Sequence, residues 1–212
     1  MLRRALDEGK RKVRLSILGS VEHNFFTNGS TELFDSAGQG RLDAFFLGGG
    51  QIDKHANINL VGVGEYPQST VRWPGSFGSA YLYFTVPRVI LFREEHTPRV
   101  FVDEVDFISA PGISPPEVYR PGGPVALLTS KAMFSFDKAK PGFKLESIHP
   151  GQDLRDLIAA TGFDFDHQDQ PSVTPAPDTA TLALLRGRVM DELKETYPAF
   201  AESWQSDLAD QY

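Results

Sequence analysis

Asp43-Ala-Phe-Phe-Leu-Gly-Gly-Gly-Gln-Ile-Asp-Lys-His-Ala-Asn-Ile-Asn59 is the stretch on which the fold turns. Its first five residues form a short, nearly continuous apolar run. That is the pattern of a strand buried on both faces, and it predicts a central strand over 43–47. Three glycines follow, Gly48, Gly49 and Gly50. They let the backbone approach a ligand or another chain closely. Gln51, Asp53, Asn57 and Asn59 then place polar groups at the strand's carboxyl end, where open α/β sheets bind ligands. A second reading stands beside this one: a tight turn held by Asx hydrogen bonds.

Working outward, Asn28 to Gly40 reads as a short helix. Leu33, Phe34 and Ala37 share a face, Asn28 or Ser30 can cap it, and Gly38 to Gly40 stop it. Residues 1–12 are basic and read as a helix or a frayed end. Ile58–Val63, Val86–Phe92 and Val100–Val105 read as strands. Val125–Leu128 and Met133–Phe136 form a hairpin around Thr129-Ser-Lys131, and Phe143–Ile148 adds a strand. Pro111, Pro115, Pro116, Pro121 and Pro124 mark a surface loop. Asp153 to Thr161 predicts a helix with Leu154, Leu157 and Ile158 on one face and Gly162 in the αL position beyond it. Asp178 can cap a helix whose Leu182, Leu185, Val189 and Leu193 recur on one face. Residues 166–177, rich in Pro, Gln and Asp, read as a linker to that helix. Strands mixed with helices predict an α/β fold in one domain over residues 1–212, an open and mostly parallel sheet flanked by helices.

Charge and composition narrow the function. The net charge is −7, and ten acids against three bases from Asp164 onward place all of it in the last part of the chain. An acidic balance argues against a nucleic-acid partner, which needs a basic face. There is no cysteine, so disulfides, thiolate metal sites and a cysteine nucleophile are excluded. The five histidines show no metal-binding spacing, and no metal is expected. The start lacks a signal core, and the longest apolar run, Tyr81 to Phe92, contains Pro87 and Arg88. That run is too short to span a bilayer, so no membrane is expected and the cytoplasm is the expected compartment.

Arg72-Trp-Pro-Gly-Ser-Phe-Gly-Ser-Ala80 is the second stretch that can carry chemistry. Gly75 and Gly78 can leave consecutive backbone N–H groups facing an oxyanion if a helix starts near Ser79. A structural turn is the alternative, and no Gly-Lys-Ser/Thr makes it a Walker loop. Glu94-Glu95-His96 reads as a solvated turn rather than an acid–base cluster. Asp103, Glu104 and Asp106 alternate across a strand and cannot all face one site. Ser76 has no evident His/Asp pair.

In order along the chain, these segments resemble the β subunits of class I coenzyme A-transferases, the glutaconate type in particular. Phe45 to Asp53 with Asn57-Ile-Asn59 is similar to that family's "GGxxxD…GNxN" signature. Arg72 to Ala80 falls at its glycine-rich loop, and Val102 to Gly112 resembles its "VDxVTxPG" turn. Gly123 to Ser130, Ser147 to Gly151 and Thr161 to Phe163 follow in the family's order. The resemblance implies a coenzyme A thioester as substrate with no permanently bound cofactor, and an α-type partner subunit in an α2β2 assembly whose site lies between subunits. It implies covalent catalysis in which a β-subunit glutamate attacks the acyl-CoA and CoA passes to an acceptor acid. It places Gly75, Ser76, Phe77 and Gly78 in the catalytic loop, and Gly49, Gly50, Gln51, Asp53, Asn57 and Asn59 at the substrate.

Two departures stand out. The family's portion bearing the nucleophilic glutamate has no counterpart here, and the nearest glutamate, Glu22, lies too close to the Gly48 strand end. Phe77 stands where the transferases have glycine, which resembles the CoA-dependent steroid ring-opening hydrolases and a glutaconyl-CoA decarboxylase. The alternatives to transfer are therefore hydrolysis, decarboxylation, or a non-catalytic subunit completing its partner's pocket.

Overall fold

Glu32 starts the first helix. Its carboxylate accepts the backbone N–H of Thr27 at 2.5 Å and of Asn28 at 3.2 Å, fixing the two residues that lead into the helix. Those bonds, Thr27 first, hold the carboxyl below the usual range. The helix, α1, spans Gly29–Gly38 and buries Leu33 and Ala37. The computed structural model describes residue 9 and residues 13–209, with side chains described to residue 205. The expected helix or frayed end over residues 1–12 lies outside them, Gly9 excepted.

The strands are β1 (Phe45–Leu47), β2 (Gln51–Ile52), β3 (Ile58–Asn59), β4 (Gly62–Val63), β5 (Val71–Arg72), β6 (Val89–Arg93), β7 (Pro124–Thr129), β8 (Ala132–Asp137) and β9 (Gly142–Ile148). Five of them form one open sheet in the order β1-β6-β7-β8-β9. β1, β6 and β7 are parallel neighbours, and β8 and β9 follow antiparallel. Four of the five therefore point the same way, and the fold is α/β with an open, mixed and largely parallel sheet. Helix α2 (Ser79–Thr85) precedes β6, and α3 (Leu154–Ala159) follows β9. β2 pairs with β3, and β4 with β5, in two small antiparallel ladders apart from the main sheet.

The hairpin forms where its turn chemistry places it. Thr129 Oγ1 accepts from the N–H of Lys131 and of Ala132, both at 3.1 Å, closing a turn that joins β7 to β8. Along β8, Ala132, Phe134 and Phe136 are buried while Met133 and Asp137 are exposed, and β9 buries Phe143, Leu145 and Ser147 in the same alternation. Phe134 packs edge-on against Phe143 and Phe165. Asp153 caps α3 by accepting from the N–H of Arg155 and Asp156.

Several expectations are corrected. β1 is an edge strand, not a central one: no strand among the described residues pairs with its outer side. Only Leu47 of its three residues is buried, and Phe46 is 45% exposed. Phe46 stands beside Phe92, ring centroids 6.5 Å apart, and Leu128 and Met133 continue that half-exposed apolar stripe across β7 and β8. Ile58–Val63 is two short strands, because the Asn59 side chain accepts from the N–H of Val61 and Gly62 and turns the chain between them. Val100–Val105 forms no strand; Phe101 makes an isolated bridge to Ile52. Gly162 is not in the αL region; a Cβ there would run into the Phe101 carbonyl, which its own N–H meets at 2.7 Å. The segment 166–177 is bonded to the sheet for part of its length: Leu145 N–H meets Asp166 O at 2.7 Å and Ile148 N–H meets Ser172 O at 2.9 Å.

Two compact units result. Leu33–Pro175 is the sheet unit; the chain up to Glu32 and from Ala176 is the other. In the second, Asp178 caps α4 (Thr179–Leu184) by accepting from Thr181 N–H. A kink at Gly187 follows, then α5 (Met190–Thr196) and α6 (Pro198–Ala209). Glu195 fastens the chain's early segment to α5, accepting from Ser20 Oγ and from Val21 N–H at 2.7 Å. These bonds, Ser20 first, lower its pKa.

His96 is the sheet unit's buried imidazole among the described residues. It is 4% exposed, with Nδ1 2.8 Å from Thr129 Oγ1 and Nε2 2.9 Å from Thr161 Oγ1. Burial, with a smaller push from Lys131, lowers its pKa to about 4. The unfolded ring titrates near 6.5. Its contribution to stability is therefore complete above pH 6.5 and is lost as pH falls from there toward 4. Unfolding free energy should drop by about 2 kcal/mol between pH 7 and 5. Denaturant titrations at the two pH values check this, and a His96→Gln chain should show a markedly smaller drop. An equal drop in both would remove His96 as its origin.

Candidate functional site

The glycine turn is shaped by what packs against it. A Cβ on Gly49 would lie 2.8 Å from Ile58 Cγ2, and one on Gly50 would collide with the Trp73 ring. The close approach that three glycines permit is thus made, at Gly49 and Gly50, by the chain's own Ile58 and Trp73. Trp73 is also tied back through its N–H to Val61 O at 3.0 Å, so the turn after β1 and the segment leading to Gly75 form one block.

The polar residues of the turn bind one another. Asp53 Oδ1 accepts from the N–H of His55 and of Asn57, each at 3.0 Å, and its Oδ2 accepts from Asn57 Nδ2 at 2.9 Å. Asn57 Oδ1 accepts from Gly112 N–H at 3.0 Å. Asn59 Nδ2 donates to Gln51 Oε1 at 2.7 Å and to Gly62 O at 2.7 Å. Gln51 also bonds Asp106, whose carboxylate accepts from Gly64 N–H at 2.8 Å. Gln51, Asp53 and Asn59 are buried. At the apex Ala56 holds φ +59°, and its carbonyl accepts from the Tyr83 hydroxyl at 2.8 Å. Burial pushes that phenol's pKa well up, so it stays a donor. The four side chains that sequence placed at a substrate are thus brought together, bonded to one another and to the backbone around them as in an Asx turn.

The loop before α2 is different. Gly75, Phe77 and Gly78 have φ of +111°, +43° and +67°. Ser79 N–H bonds Ser76 O at 2.8 Å, closing the loop. Among the described residues no acceptor meets the N–H groups of Gly75, Ser76, Phe77 or Gly78. Three of these four residues are exposed, and Ser76 is half-buried. Backbone N–H groups that no acceptor meets are available to a negatively charged oxygen. Gly78 is required twice over, by its φ and by the Phe34 ring, which occupies the place of a Cβ. A bulky residue in the left-handed region, as at Phe77, costs about 1–3 kcal/mol. The Phe77 ring is nonetheless 67% exposed.

The remaining candidates are structural. Glu95 is paired with Arg99 at 2.7 Å and with Arg93 at 3.5 Å, and the Arg99 bond leads in lowering its pKa. Asp103 pairs with Lys54 at 2.7 Å. Glu22 belongs to the unit of the chain ends. Among the described residues no group of three or more His, Cys, Asp or Glu could hold a metal, and no helix is long and apolar enough to cross a membrane. Sequence reasoning missed Trp73, Tyr83 and Phe34. Trp73 had a signal, since it sits two residues before Gly75; Tyr83 and Phe34 had none beyond their helical faces.

Residues 11–160 match the family described as Coenzyme A transferase, and the chain belongs to that family. It is 33% identical over 154 residues to the B subunit of 3-oxoadipate CoA-transferase from Pseudomonas knackmussii, a match that covers 69% of this chain and 58% of that protein. It is 31% identical over 151 residues to the B subunit of glutaconate CoA-transferase from Acidaminococcus fermentans, covering 68% and 56%. To the cholesterol ring-cleaving hydrolase IpdB subunit of Rhodococcus jostii it is 30% identical, covering 73% and 62%. The crystal structure of IpdAB from Rhodococcus jostii superposes with a TM-score of 0.69 at 28% identity, covering 78% of this chain and 65% of that one. The decarboxylase AibA/AibB superposes at 0.64 and 29%, covering 73% and 60%. Within the family the chain is of the B type, and its relatives are B subunits of two-chain enzymes with differing activities. It spans 56–62% of the length of these curated relatives.

Proposed function

We propose that the chain works as the B-type subunit of an enzyme acting on an acyl-CoA thioester, transferring CoA between carboxylic acids with an A-type partner. The observation that carries this is the row of unpartnered N–H groups at Gly75–Gly78. Attack on a thioester carbonyl moves negative charge onto its oxygen, and fixed backbone donors aimed there stabilise the transition state more than the ground state. Gly49, Gly50, Gln51, Asp53, Asn57 and Asn59 serve as the scaffold that sets this loop, through Trp73 on Gly50. The attacking carboxylate is supplied from outside the described residues. Phe77 favours a second reading, ring-opening hydrolysis or decarboxylation of an acyl group carried as its CoA thioester. The similarity to IpdB and AibB supports it.

Co-expression with an A-type subunit should return a stable complex of the two chains, with the mass of an α2β2 species. That complex should exchange labelled CoA between acyl-CoA and free acid. Hydrolysis or decarboxylation without exchange would replace transfer with the second reading. A chain that stays monodisperse and unpaired would remove the subunit reading.

A further inference from the structure

We propose that Phe77, Phe34 and Tyr81 form the wall for the acyl part of the thioester, and that the site prefers a bulky apolar acyl group, alicyclic or aromatic, to a short dicarboxylate. This rests on the thioester reading of the Gly75–Gly78 loop. The three rings are continuous: Phe34 lies 5.7 Å from Phe77 and 5.9 Å from Tyr81 by ring centroids, the latter edge-on. Phe34 sits directly on the backbone of Gly78, so the aromatic surface begins at the free N–H groups. Phe77 and Tyr81 are 67% and 45% exposed.

Folding does not account for Phe77. A glycine would hold φ +43° without strain, and the exposed ring buries little in return. A strained, exposed aromatic next to candidate oxyanion donors is a position where contact with a bound molecule can offset the strain. The chemistry of that contact follows from the ring faces. They offer area to an apolar ring or branched chain, and they offer no charge-paired donor to a second carboxylate. An acyl group bonded to a thioester whose oxygen meets the loop would extend from it along Phe77.

The test is calorimetric titration of the full-length chain in complex with its A-type subunit, using cyclohexanecarboxyl-CoA, glutaryl-CoA and CoA itself. Cyclohexanecarboxyl-CoA is expected to bind at least tenfold tighter than CoA, and glutaryl-CoA no tighter than CoA. Phe77→Gly, which relieves the backbone, should fold at least as well and lower the cyclohexanecarboxyl-CoA to CoA affinity ratio about tenfold. Phe77→Leu should restore most of it. A ratio unchanged in Phe77→Gly, or a preference for glutaryl-CoA, overturns the inference while leaving the thioester reading standing. Failure of all three to bind, CoA included, removes both.

Discussion

Gly75→Ala in the assembled enzyme should lower kcat by about 10²–10³, roughly 2.7–4 kcal/mol of barrier, with the melting temperature nearly unchanged. The cause is local. Gly75 holds φ +111°, which an L-residue rarely adopts, yet nothing lies within 4 Å of a Cβ built there. Alanine therefore meets no neighbour but cannot keep the backbone angle. The loop must turn, and its N–H groups lose their aim. The exposed loop contributes little to the core, so stability should hold. KM should move far less than kcat, because the lost interaction belongs to the transition state. Gly78→Val is the poorer test, since it also collides with the Phe34 ring and mixes folding with catalysis. A Gly75→Ala enzyme retaining activity within a factor of two would show that the loop is only a turn.

Asp53→Ala carries the largest expected effect on stability, a loss of about 3–5 kcal/mol. Its buried carboxylate accepts three hydrogen bonds, two from backbone N–H groups. Bonds to a charged acceptor contribute about 1.5–3 kcal/mol each, and they overlap in one turn, so the sum is not additive. Removing the acceptor leaves two amides of a tight turn without their partner. A loss of that size is a large share of the roughly 5–15 kcal/mol that holds a domain together. Asp53→Asn keeps one oxygen for the two backbone donors but sets an amide against Asn57 Nδ2, and should lose less. Denaturant unfolding of the three chains measures both. An Asp53→Ala chain within about 1 kcal/mol of the parent would mean the turn is held by the Tyr83 and Gly112 contacts alone.

Local patterns were legible where the governing interaction is local. Thr129 closes its own hairpin and Asp178 caps its own helix, so these elements start where turn and capping chemistry put them, although the face expected from Leu182 to Leu193 is broken by the kink at Gly187. Legibility ends where a distant residue decides. His96 follows a strand between charges and reads as solvated, yet Thr129 and Thr161 meet both its ring nitrogens in the interior. Phe101 reads as mid-strand, but its N–H goes to Thr97 O and its carbonyl to Gly162. At the site, the glycines were legible as close approaches; that Trp73 and Phe34 are what approaches was not. Which residues carry polar groups at the turn was visible too, but not that they would bond one another together with Asp106, Gly62 and Gly112.

The two ends of the sheet differ in a way that governs how the protein can associate. On the β9 side, the backbone bonds from residues 145 and 148 to residues 166 and 172 cover the ladder. On the β1 side, no strand among the described residues does so. Strand-by-strand growth needs a free ladder at both ends of every molecule if it is to propagate. With one end blocked, edge pairing terminates after a single event. By that route the described strands can close a pair through β1 but do not run on into a filament.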